Sequence, residues 1–126
     1  MLSAQKNRIY GKTKELDIVT LQKSFKDDRA SFISVALLFG SRALGTHHSR
    51  SDYDFAFVMD KIGDEPWGVK AKAYCVVGDL LDLDDCDFDI VDLRGADKII
   101  IDSIKEGYVL LKGDECEVSR LLGKNG

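Results

Sequence analysis

Phe32-Ile-Ser-Val-Ala-Leu-Leu-Phe39 runs into Gly40-Ser41 and, after ten intervening residues, Asp52-Tyr-Asp-Phe-Ala-Phe-Val-Met59 follows. The first run is short, rich in β-branched and aromatic residues and stopped by a glycine, which predicts a strand buried on both faces. Residues 40–51 hold two Gly, three Ser, a Thr and two His, a turn-and-loop composition, before the second run resumes as another strand. Two adjacent strands with a polar loop between them are the seed of a sheet.

Upstream, Ile18, Leu21 and Phe25 form an apolar stripe that predicts a helix from about Lys14 to Asp28. Downstream, Asp64-Glu-Pro66 places acids and a proline where a helix begins, and Ala73, Val76, Val77, Leu80 and Leu81 recur at helical spacing. Phe88-Asp-Ile-Val-Asp-Leu93 reads as a third strand. Ala96 to Glu106 reads as a helix with Gly107 just beyond its end, Tyr108 to Leu111 as a fourth strand, and Glu115 to Leu122 as a closing helix. The order predicts an α/β (α+β) fold, a small mixed sheet of about four strands flanked by helices, in one domain over residues 1–126.

Composition bounds the function. With 44% hydrophobic and 32% charged residues, 11 Gly and one Pro, the chain is neither disordered nor collagenous. Eighteen Lys+Arg against 22 Asp+Glu give a net charge of −4, which argues against direct nucleic-acid binding by electrostatics. The apolar run Val35 to Phe39 is far short of the roughly 20 residues that span a bilayer, and Met1-Leu-Ser-Ala-Gln-Lys is no signal peptide. A cytoplasmic protein is expected. Cys75, Cys86 and Cys116 are odd in number and make no C-x-x-C pair, so they are expected to be reduced, half-buried small hydrophobes.

Three features carry chemistry. Gly40-Ser41 follows a buried strand, and glycine there lets backbone approach a ligand closely; Ser41 is either the N-cap of a following turn or a hydroxyl donor to a phosphate oxygen. No Gly-Lys-Ser/Thr follows, so this is not a Walker loop. Asp52 and Asp54 lie two apart at the head of a strand and point to one face, with Tyr53 on the other. Like charges so placed are tolerated with a cation between them, and hard oxygen ligands imply Mg2+ or Mn2+; the alternative is that both cap the loop and face water. Asp79 to Asp92 is dense in acids, mostly a solvated face, and counting from Asp85 its spacing fails as an EF-hand. Asp89, set between Phe88 and Ile90, needs a partner. Alternation places Asp87 and Asp89 on one face and Asp92 on the other, so Asp89 completes a three-carboxylate metal site if its strand neighbours that of Asp52.

Gly40-Ser41, the ten-residue spacing, Asp52-Tyr-Asp54 and Phe88-Asp-Ile-Val-Asp-Leu93 together resemble the nucleotidyltransferase superfamily that includes DNA polymerase β. More closely, the pattern resembles the minimal nucleotidyltransferases of the MntA type, the antitoxin half of HEPN/MNT toxin–antitoxin pairs. The resemblance implies that Gly40 and Ser41 hold the triphosphate of ATP and that Asp52 and Asp54 bind the divalent metals, Mg2+ or Mn2+. It implies further that Asp89 positions or deprotonates the attacking hydroxyl, with Asp87 as a rival for that role. Arg42 either adds charge at the phosphates or is a solvated surface residue. Tyr53 and Phe55 replace the aliphatic residues common beside the aspartates.

The implied reaction is Mg2+-dependent transfer of AMP from ATP to a tyrosine hydroxyl of a cognate HEPN ribonuclease toxin. Larger relatives carry a further domain for the acceptor, and 126 residues leave no room for one, so the acceptor is expected to bring its own binding surface. Two other readings stay open: a nucleotide-binding subunit that neutralises the toxin by occlusion, and a small-molecule nucleotidyltransferase completed by a separate helical subunit. His47 and His48 are expected as exposed loop residues, with a catalytic base or phosphate ligand as the alternative, Trp67 and Tyr74 as core or partner interface rather than a base-stacking platform, and Lys70, Lys72 and the lysines near the first helix as solvated faces, the alternative being that one reaches the triphosphate.

Overall fold

The computed structural model describes residues 13–60 and 68–124. The expected helix start at Asp64-Glu-Pro66, and Trp67, lie outside them. Strand β1 (Ile33–Phe39) forms the centre of the sheet, and all its residues except Ser34 are buried. It pairs antiparallel with β2 (Tyr53–Met59) on one side and with β4 (Tyr108–Lys112) on the other. Strand β3 (Phe88–Asp92) lies parallel to β2, giving the order β3-β2-β1-β4. A parallel pair needs a crossover, and helix α3 (Gly68–Leu81) lies in the segment that makes it.

Period-two alternation sends the sheet's side chains into two cores. On one face Leu21 and Phe25, in and just after α1 (Ile18–Ser24), join Ala73, Val77 and Leu81 of α3 over Phe55, Phe57, Phe88 and Ile90. Phe25 meets Phe55 and Phe57 edge to face, with ring centroids 5.9 and 5.4 Å apart. On the other face Ile101 and Ile104 of α4 (Lys98–Lys105) and Val118 and Leu122 of α5 (Glu115–Lys124) cover Val35, Leu37, Phe39, Ala56 and Val58. The mixed four-stranded sheet flanked by helices agrees with the sequence reading.

The first helix is shorter than its apolar stripe suggests, for two local reasons. Asp17 caps it at the start, its carboxylate accepting from Thr20 N at 2.8 Å, and after Ser24 Asp27 accepts from Arg29 N at 2.9 Å to start a separate 3-10 turn. Lys14 to Leu16 are drawn off toward β2 instead. The buried Tyr53 hydroxyl donates to Lys14 O at 2.6 Å and accepts from Leu16 N at 2.9 Å. Removing that hydroxyl orphans a backbone donor and an acceptor, so Tyr53→Phe is expected to lower stability by about 1–3 kcal/mol. Urea denaturation checks this, and an unchanged midpoint would refute the tie.

Candidate active site

Asp89, Asp54, Phe39 and Tyr108 occupy one register row across all four strands. Register partners project from the same face, so Asp54 and Asp89 stand side by side, their strands about 4.8 Å apart. Asp52 lies exposed just ahead of β2. Burial foremost, then the charges of Asp89 and Asp52, pushes the half-buried Asp54 carboxyl above its ordinary value. The charges of Asp89 and Asp52 both bear on Asp54.

The Gly40-Ser41 turn closes on the same place. Gly40 has φ +76°, and a Cβ there would collide with Asp54 Oδ2 and sit 3.3 Å from Asp54 Cγ. Glycine is required twice, by conformation and by contact. A single helical turn, α2 (Ser41–Leu44), follows, with Gly40 as its N-cap and no side-chain cap. Ser41 is thus the first residue of the turn rather than its cap, which leaves its hydroxyl free of capping.

Arg42 departs from both expectations. Its side chain is buried, its guanidinium lies 4.3 Å from the Tyr53 ring centroid, and it donates to Glu15 Oε1 at 3.0 Å and Ser51 O at 2.9 Å. It is neither a solvated arginine nor a charge turned to the Asp54 face, because Tyr53 points to the opposite side of β2. Asp87 also departs from the alternation read in the sequence. It ends a 3-10 turn, Asp85–Asp87, is fully buried, and accepts from Asp84 N at 3.2 Å, while its charge acts on Tyr53 rather than Asp54. The extended backbone begins only at Phe88, so alternation does not reach back to Asp87. Cys75, Cys86 and Cys116 are all exposed rather than half-buried.

A cleft of about 390 Å³ opens over the row, lined among others by Phe39, Asp54, Asp89, Lys70, Tyr74 and Ile100. Lys70 and Tyr74 stand one helical turn apart on α3. Lys70 is one of the two lysines expected on a solvated face or within reach of a triphosphate, and Tyr74 is expected in core or interface; their i, i+4 spacing puts them on one helix face, but does not tell which way that face points. His47 and His48 are exposed, His47 lying 3.5 Å from Glu15 and His48 Nδ1 accepting from Arg50 N at 3.1 Å. Among the described residues no three His, Cys, Asp or Glu side chains are grouped so as to hold a metal ion, so Asp52, Asp54 and Asp89 do not close into the expected three-carboxylate site. An open set of carboxylate oxygens suits Mg2+, which keeps several waters and takes remaining ligands from substrate phosphates rather than from an all-protein cage. The donors present fit such a cation.

The fold is that of a nucleotidyltransferase domain. The chain belongs to the DNA polymerase β nucleotidyltransferase family, whose model matches residues 19–116. No curated protein matches it in sequence. Among solved structures, a toxin–antitoxin complex with AMP-PNP is similar with a TM-score of 0.64 and 25% identity, over 87% of this chain and 84% of that one. A tri-AMPylated Shewanella oneidensis HEPN toxin in complex with MNT antitoxin gives a TM-score of 0.58 and 22% identity, over 85% of this chain and 81% of that one. An MntA–HepT toxin–antitoxin structure gives 0.56 and 21%, over 86% and 80%. The last two show a shared fold.

Two outcomes are expected. Gly40→Ala combines strained φ with a collision at Asp54, and should cost about 1–3 kcal/mol in urea denaturation; a stability equal to the parent's would refute the contact. Asp54 binds its proton more tightly folded than unfolded, so in metal-free buffer its contribution is least unfavourable at acid pH and worsens as pH rises through the raised value. Asp54→Asn should therefore raise the urea midpoint at about pH 7 and converge on the parent near pH 3, below the ordinary aspartate value. A constant difference across that range would overturn the assignment.

Proposed function

We propose that this chain transfers AMP from ATP to a tyrosine hydroxyl of a cognate HEPN-family toxin, in a Mg2+-dependent reaction that makes it an antitoxin. The observation that carries this is the register of Asp54 with Asp89 beside Gly40, which gathers oxygen donors around a glycine turn at one end of the sheet. Support for nucleotide and acceptor comes from the relatives of like fold, one with AMP-PNP and one with an AMPylated HEPN toxin.

Each residue has a role in this reading. Gly40 leaves the space beside Asp54 open, and Ser41 offers its hydroxyl to the triphosphate. Asp52 and Asp54 hold the divalent cations, Mg2+ or in its place Mn2+. When bound, such cations neutralise charge on the reacting phosphate and on the leaving pyrophosphate. Asp89 accepts the proton of the attacking hydroxyl as its oxygen bonds to the α-phosphorus and the bond to pyrophosphate breaks. Lys70 supplies positive charge at the cleft. Arg42 has no phosphate role here; it holds the loop before Asp52. The reading takes residues 1–126 as a single cytoplasmic unit, and among the described residues no helix is long and apolar enough to cross a membrane.

The test is incubation with ATP labelled at the α-phosphate, Mg2+ and the co-expressed HEPN protein, followed by intact-mass measurement of that protein. An AMP increment is expected, lost on chelation and reduced about a thousandfold in Asp52→Asn and Asp54→Asn, since several kcal/mol of charge stabilisation disappear. Toxin silenced without any mass increment would replace this reading with occlusion.

A further inference from the structure

Tyr74 reaches a candidate site carboxylate directly. Its ring stacks on Phe88, with centroids 5.3 Å apart and planes 25° from parallel. Its hydroxyl accepts from Ile90 N at 3.1 Å and lies 3.4 Å from Asp89 Oδ1. Among the described residues strand β3 is a sheet edge, whose outward N–H groups have no strand to bond, and Tyr74 takes one of them. A phenol oxygen that has accepted an N–H still has one proton to give, and the Asp89 carboxylate is the acceptor beside it. Anchored by ring and backbone, that donor holds its place.

We infer that Tyr74 is a positioning residue for Asp89: stacked on Phe88 and fixed by the Ile90 amide, its hydroxyl turns one carboxylate oxygen toward the sheet edge and leaves the other for the acceptor hydroxyl. The core-facing side of α3 is already filled by the buried Ala73, Val77 and Leu81, whereas Tyr74 is half-buried and reaches past Phe88 to the edge. A phenylalanine would stack as well; only the hydroxyl addresses Asp89. This role rests on the reading of Asp89 as the carboxylate that receives the proton.

The experiment compares Tyr74→Phe, replacement of Tyr74 by 4-aminophenylalanine, and Asp89→Asn in AMP transfer from ATP to the co-expressed HEPN protein. Tyr74→Phe should lower kcat about tenfold, the usual cost of losing a partner that orients a functional side chain, while KM for ATP stays within about twofold. The amino variant, which restores a donor at the ring's end, should recover most of kcat. A parental kcat in Tyr74→Phe, a loss carried by KM, or no recovery in the amino variant overturns the role of Tyr74. Asp89→Asn with parental activity, or a parent chain that labels no acceptor, overturns the underlying reading instead, and the role of Tyr74 with it.

Discussion

The parallel pairing of β2 with β3 sets two aspartates, Asp54 and Asp89, abreast on one face of the sheet. Two carboxylates at that spacing repel, and burial at Asp54 sharpens the repulsion by removing water that would screen it. Nothing in the core requires either residue to be acidic. The rest of the molecule is arranged so that the pair forms: a crossover long enough for a parallel strand, apolar residues at Phe55, Phe57, Phe88 and Ile90 that lock the register, and a glycine where any side chain would displace Asp54. A one-residue slip of β3 would bring Phe88 or Ile90 beside Asp54 and send Asp89 to the other face.

Charge is divided between the faces of β2. Arg42, next to the candidate phosphate turn in sequence, is folded back over Tyr53 and paired with Glu15, so its charge is held on the side away from Asp54. Toward the cleft, the lining positive group among the described residues is Lys70. The aspartate face thus keeps an excess of negative charge, an environment that favours small cations. A net charge of −4 is compatible with binding an anion once cations mediate it.

Much of this was legible in the chain itself. Alternation and turn composition predicted all four strands and placed Asp52, Asp54 and Asp89 as candidates, because strand periodicity reports which side chains share a face. Periodicity fails where the backbone leaves the extended state. Asp87 lies in a 3-10 turn, so counting by twos from Asp89 misplaced it. Helix α1 is shorter than its stripe because Asp17 and Asp27 offer caps that compete with continuation, a local choice hidden by the longer apolar pattern. Arg42 and Tyr74 were opaque for another reason. Their partners, Glu15 and Tyr53 in one case and Phe88 and Asp89 in the other, are far away in sequence and meet only through the sheet.

The contacts around residues 13–16 act as a strap over the loop that leads to Asp52. Thr13 N donates to Ser49 O at 2.7 Å, Arg42 Nε to Ser51 O at 2.9 Å, and the Tyr53 hydroxyl holds Lys14 and Leu16. A polar loop of this length would ordinarily sample many shapes and lose that freedom when a ligand arrives. Here these hydrogen bonds place part of that loss in the folding of the chain. Under the proposed nucleotide reading, that much less ordering is left to be charged against affinity at the aspartates.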